Sequence, residues 1–256
     1  MLNTAVLTGK AGIRWFGDVH GSPAIHDAVA EALAMNYAVG FIGDLTDQSP
    51  ADNGAPNDSM AVIRLLIELD AKGLVVLSPG NHCFKLLRYM TKVREGEGGE
   101  RKIKTAHGLS QTLEELNNAP DRENLIDRFI QIVGASRMWN RMGDYLFVHG
   151  GATAAMFDVD APTAGEALSI KKGGFIHRAI FGKTTGEFVD GFPERTYDWV
   201  DRIPAGKTVV IGHDIRPEIT EVINDDGGRL IHIDTGAGKG GKLSWLDLTA
   251  ADMGVA

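Results

Sequence analysis

The chain has 256 residues, of which 43% are hydrophobic and 23% charged, and its formal net charge is -8. The length suits one sizeable α/β domain or two small ones, and the composition is that of an ordinary folded soluble chain. The acidic balance argues against extended nonspecific binding along a nucleic acid, which depends on neutralising many phosphates; a single phosphate end stays open as a substrate, because bound metals can supply local positive charge.

One cysteine, Cys83, leaves no partner for an internal disulfide and points to a reducing compartment. No apolar run approaches the roughly 20 residues of a membrane span. Met1 to Lys10 lacks the basic start and long apolar stretch of a signal peptide. The cytoplasm is the expected location, with no membrane partner.

Arg14-Trp15-Phe16 leads into Gly17-Asp18-Val19-His20-Gly21. Ser22 and Pro23 then open a helix as N-cap and first residue, with Ile25, Val29, Ala32 and Leu33 on its apolar face. Tyr37 to Ile42 reads as a strand ending in Gly43-Asp44-Leu45-Thr46-Asp47-Gln48. Residues 49 to 57 are rich in Pro, Asn, Asp and Gly and read as a loop. Asp58 or Ser59 can cap the next helix, which buries Val62, Leu65, Leu66 and Leu69. Leu74 to Leu77 is a short buried strand, followed by Ser78-Pro79, then Gly80-Asn81-His82-Cys83, then a helix over Phe84 to Met90. Such alternation predicts a parallel sheet with helical crossovers.

Residues 91 to 143 break the rhythm and read as a helical insertion, with helices around Leu109 to Leu116 and Leu125 to Val133. Asp144 to Val148 is a strand ending in His149-Gly150-Gly151, and a helical or irregular region runs on to about residue 201. Thr208 to Ile211 is a strand ending in Gly212-His213-Asp214. Glu218 to Ile223, Arg229 to Asp234 and Lys242 to Asp247 alternate like strands of a mixed or antiparallel sheet. No repeat or linker is evident, so one domain with an insertion is the simplest organisation.

Five clusters therefore follow strand-like runs, each placing Asp, Asn or His beside a glycine that lets the backbone turn sharply and approach a ligand. Ligands of open α/β sheets bind beyond the carboxyl ends of the strands. Mixed oxygen and imidazole donors suit manganese, iron or zinc better than calcium. Two metals sharing a carboxylate can hold both the attacking and the leaving oxygen of a phosphoryl displacement.

In this order the clusters resemble those of the calcineurin-like metallophosphoesterases, in particular the phosphoprotein-phosphatase-like branch, whose pattern is GDxHG, GDxxDR, GNH followed by Glu or Asp, HGG and GH. The resemblance runs from about residue 14 to 248. It implies a β-sandwich of mixed sheets flanked by helices and a dinuclear centre of manganese, with iron, zinc or nickel as alternatives. It further implies that Asp18 and His20 bind the first metal, that Asp44 bridges, and that Asn81, His149 and His213 bind the second. His82 would then be the general acid, oriented by Asp47, and a water between the metals the nucleophile. Phe181 to Glu187, Tyr197-Asp198-Trp199 and Ile233 to Gly236 look like the phosphatase module of bacterial polynucleotide kinase-phosphatases.

The chain departs from the pattern at two positions. Gln48 stands where the family has the phosphate-gripping Arg, and Cys83 where it has Glu or Asp. Weaker phosphate binding or a shifted substrate is expected, with Asn81, Gln48 and Arg178 as substrate contacts and Asp234 ordering the site from behind. Cys83 reads as a buried thiol rather than a nucleophile, and His26, His107, His177 and His232 as surface or core histidines. The leading expectation is a phosphomonoesterase acting on a phosphoprotein, a nucleotide or a nucleic-acid end. The alternatives are a phosphodiesterase or symmetrical dinucleotide tetraphosphatase, and a phosphate- or metal-binding pseudo-enzyme.

Overall fold

A computed structural model describes residues 5–48, 58–96, 106–170, 173–189 and 191–254. The expected loop over 49–57 lies outside them. Strand and helix alternate at first as the apolar pattern dictates: β1 (Gly12–Phe16), α1 (Ala24–Ala34), β2 (Tyr37–Ile42), α2 (Ser59–Ala71), β3 (Val75–Ser78) and α3 (Asn81–Arg94). Asp58 caps α2 by accepting from the Ala61 amide at 3.3 Å. The cap expected at Ser22 is not formed; Pro23 occupies that position without a side-chain bond, a one-residue shift at a helix end. Helix α3 begins three residues earlier than its apolar stripe suggests, so Asn81 and His82 lie in its first turn.

Helices α4 (Leu109–Asn118) and α5 (Arg122–Ala135) confirm helix over the middle of the chain, but the segment does not stay helical to residue 143. β4 (Trp139–Met142) pairs antiparallel with β5 (Tyr145–Val148). Polar Asn140 and Arg141 hide this strand from a hydrophobic pattern; Asn140 is buried because its amide bonds the Leu77 carbonyl and Ser78 Oγ across to β3. After α6 (Ala164–Ser169) and α7 (Gly174–Phe181) comes an unexpected hairpin, β6 (Thr184–Val189) and β7 (Phe192–Arg195). The region read as helical or irregular thus ends in a two-stranded sheet. β8 (Thr208–Ile211), β9 (Thr220–Ile223), β10 (Arg229–His232) and β11 (Trp245–Thr249) complete the chain.

The strands form two mixed sheets, β11-β1-β2-β3, with antiparallel β11 at one edge, and β4-β5-β8-β10-β9, with antiparallel strands at both edges. Their facing sides bury Ile13, Trp15, Ile42, Phe147, Val210 and Ile231, with Trp15 stacked on Phe147 at 3.9 Å. Stacked aromatic pairs add about 0.5–1.5 kcal/mol beyond area burial. The other faces pack under the helices, where Phe16, Phe41, Leu66, Leu86 and Phe129 are fully or nearly fully buried. The architecture is the expected α/β sandwich. It brings the carboxyl ends of β1, β2, β3, β5 and β8 to one rim.

Candidate metal and catalytic centre

At that rim Asp18 and His20 follow β1, Asp44 and Asp47 follow β2, Asn81 and His82 open α3, His149 follows β5 and His213 follows β8. The close approach depends on a missing side chain: Gly43 has φ +118°, and a Cβ there would lie inside the His149 imidazole. His20, Asp47 and His213 also hold positive φ, 48°, 73° and 66°. Non-glycine residues take that conformation only where the surroundings enforce it.

Two donor groups form, Asp18 with His20 and Asp44, and Asp44 with His149 and His213. In each group the ligating atoms lie within 4.8 Å of one another, and Asp44 belongs to both. The histidines are aimed by their outer nitrogens. His20 Nδ1 lies 2.9 Å from the Thr46 carbonyl, which can only accept, so that nitrogen carries the proton and Nε2 faces Asp18. His149 Nδ1 lies 3.2 Å from the Ile42 carbonyl, and its Nε2 faces Asn81 Oδ1 at 3.0 Å and Asp44 Oδ2 at 3.4 Å. Two buried carboxylates among imidazoles, with no thiolate, fit a pair of divalent first-row cations.

Burial works to raise the carboxyls of Asp18 and Asp44, but His149 and neighbouring imidazoles override it and hold both below the usual carboxylate range. Burial lowers His149, yet the two carboxylates lift it well above its ordinary value. His213 goes the other way: burial, then His149 and Arg195, push it well down. Asp234, buried behind Asp18, is pushed up to about 7 by burial and by that carboxylate, while its Oδ1 accepts from the Gly236 amide.

His82 Nδ1 lies 2.9 Å from Asp47 Oδ2, and the His82 amide donates to Asp44 Oδ1 at 2.8 Å. Asp47 is held in turn by Thr112 of α4, whose hydroxyl donates to Oδ1 at 2.7 Å. Sequence reading missed Thr112; its signal was a lone hydroxyl within the buried stripe Leu109, Leu113, Leu116. It also missed Arg195, whose Nη2 sits 2.8 Å from His213 Nε2 and whose Nη1 lies 3.4 Å from Asp214 Oδ1. Asp214 also accepts from Tyr197 and from Arg216. Gln48 follows Asp47 and is 2% exposed. Arg178 lies on α7, its Cδ 3.5 Å from the position of a Cβ on Gly151, and its Nη1 is buried without a hydrogen-bond partner among the described residues. Cys83 turns away into the core: its thiol donates to the Gly43 carbonyl and accepts from the Leu45 amide, and burial pushes it well up. Both contacts flank Asp44, so the buried thiol braces that loop.

Fold and centre together define a hydrolase of phosphoester bonds. The chain belongs to the calcineurin-like phosphoesterase family, whose model matches residues 13–225. The asymmetrical bis(5'-nucleosyl)-tetraphosphatase PrpE of Halalkalibacterium halodurans is 29% identical over 248 residues, covering 90% of this chain and 87% of that protein. The protein of that name from Bacillus velezensis is 32% identical over 211 residues, covering 80% and 71%. A crystal structure described as a candidate diadenosine tetraphosphatase aligns with TM-score 0.54 and 17% identity over 97% of this chain and 96% of its own. A Saccharomyces cerevisiae serine/threonine phosphatase with similarity to human PP5 gives 0.53 and 14% over 97% and 82%. At those identities the two structures speak for the fold. No helix among the described residues is long and apolar enough to cross a membrane.

Proposed function

We propose that the chain is a dinuclear-metal phosphohydrolase acting on small phosphomonoesters and on dinucleoside polyphosphates, with manganese as its metal. The observation that carries this is one carboxylate, Asp44, shared by two donor groups beside the His82–Asp47 pair. Two divalent cations, when bound, supply charge neutralisation and a water acidic enough to attack at neutral pH. Asp18 and His20 would hold one cation and Asn81, His149 and His213 the other, with Asp44 common to both donor groups.

His82 gives a proton to the leaving oxygen from Nε2. Asp47 accepts from Nδ1 and keeps the ring turned; a general acid so placed is worth about 10²–10⁴ in rate. Asn81, Arg195 and Arg178 grip the phosphoryl oxygens, and Gln48 adds an uncharged hydrogen bond. Similarity to the tetraphosphatases over nine-tenths of the chain supports the dinucleotide class.

The test is hydrolysis of an aryl phosphate, an aryl phosphodiester and a dinucleoside tetraphosphate with manganese, nickel, zinc or magnesium, beside His82→Ala. Turnover of the first and third that needs both a metal and His82 is the expected result. Diester turnover alone would move the chain to the phosphodiesterases. Tight metal binding with no turnover would make it a pseudo-enzyme.

A further inference from the structure

The β6–β7 hairpin belongs to neither main sheet, yet its second strand reaches the centre. Its last residue, Arg195, lies against His213 at 2.8 Å. Its first residue, Phe192, reaches the opposite side, where its ring centroid lies 6.4 Å from that of His107. Three residue steps of strand span about 10 Å. His107 is fixed beside the His82–Asp47 pair through its neighbours. A Cβ on Gly108 would approach the Gln48 carbonyl to 2.7 Å, and Lys85, one turn beyond His82, donates to the Ala106 carbonyl at 2.7 Å.

A second pair stands on the His213 side. Phe181, at the end of α7, lies 5.1 Å from His177 and 6.5 Å from His213, centroid to centroid. Phe192 and Phe181 are 62% and 42% exposed. The exposed part of each ring gains nothing for folding, whereas a planar ring beside a phosphate site can stack a base. Three cations lie near these residues. Arg195 lies at one end, Lys85 at the other, and Lys239 is exposed near enough for its charge to act on both His20 and His107.

We infer that the two phenylalanine–histidine pairs, Phe192 with His107 and Phe181 with His177, are base-stacking ledges that hold the two nucleobases of a dinucleoside polyphosphate on either side of the centre. This rests on the phosphohydrolase reading above and assigns the residues that make its substrate a dinucleotide. The Phe192 ledge lies on the side from which His82 protonates the departing oxygen, so it holds the base of the leaving nucleotide.

The experiment compares binding of a non-hydrolysable methylene-bridged dinucleoside tetraphosphate with that of inorganic tripolyphosphate, by calorimetry with manganese present. The wild type is set beside Phe192→Ala, Phe181→Ala, the double variant and Phe192→Trp. Stacking is worth about 1–3 kcal/mol per base. Each alanine variant should therefore lower the ratio of dinucleotide to tripolyphosphate affinity about tenfold, and the double variant about a hundredfold. Phe192→Trp should keep the wild-type ratio. An unchanged ratio, or equal loss for both ligands, overturns the ledges alone. A wild type that binds tripolyphosphate and dinucleotide equally does the same. A wild type that neither binds nor hydrolyses any of these phosphates overturns the phosphohydrolase reading as well.

Discussion

The metal centre and the β6–β7 hairpin meet at Arg195 but are built on opposite terms. Every side chain of the first donor group is buried, its backbone pinned at strand ends by turns that tolerate little change. The hairpin exposes Phe188, Val189 and Phe192 and touches the centre chiefly through Arg195. On the function proposed above, the buried rim fixes the chemistry and the exposed hairpin is where substrate selection is to be sought. This is the usual division between a rigid scaffold and a functional loop.

The largest effect should come from the buried side. Asp44→Asn removes the one carboxylate common to both donor groups and leaves cation charge uncompensated. We expect kcat to fall by at least about 10³-fold, since several kcal/mol of transition-state stabilisation depend on such an ion pair, and bound metal to fall below two ions per chain. Elemental analysis beside single-turnover rates checks both. Normal metal content with a normal rate would show that the two groups do not act as one.

That contrast also explains what could be read from the sequence. The rim was legible because Asp, Asn and His beside glycine after apolar runs repeat in a fixed order. Both sheets were legible wherever strands bury whole runs, as Tyr37–Ile42 and Thr208–Ile211 do. β4 was not, because its Asn140 and Arg141 are satisfied by distant partners rather than by solvent. The hairpin left no burial pattern, since its residues are nearly all exposed and its register shifts between Thr184 and Phe188. Thr112 and Arg195 act through contacts with Asp47 and His213 that only folding brings together.

The root of the hairpin gives the next effect in size. Tyr197 bonds Asp214 and lies 5.0 Å, ring to ring, from buried His232. Burial, with Arg216, drives His232 down to about 4 from its ordinary 6.5. Between those values the unfolded chain binds the proton and the folded chain does not, so stability rises with pH. The contribution is complete above about pH 6.5 and is lost as pH falls through about 4; it amounts to roughly 3 kcal/mol. Denaturant melts at pH 7 and pH 4 should show that His232→Phe flattens this dependence. An unchanged slope would mean that other groups govern acid stability. One step smaller, Arg195→Gln should raise KM for an aryl phosphate about 30-fold with less change in kcat, because a charged hydrogen bond is worth about 2 kcal/mol. A loss confined to kcat would place Arg195 with the acid rather than with the phosphate.

The smallest effect makes the sharpest test of how centre and hairpin share the substrate. Position 48 belongs to the rim, where the family carries an arginine, yet here it holds Gln48, while the hairpin brings Arg195 to His213 on the same rim. If Arg195 has taken over the grip, Gln48→Arg adds a second cation to a phosphate already held. The difference between a neutral and a charged bond is about 1 kcal/mol, so KM should drop about fivefold. In the Arg195→Gln background the same change should do more, because the new guanidinium then meets an unpaired phosphoryl oxygen; the excess is the coupling energy of a double-mutant cycle. Equal gains in both backgrounds would mean that the two positions touch different parts of the substrate. A KM that rises would mean that Gln48, buried beneath Gly108, does not face the phosphate at all.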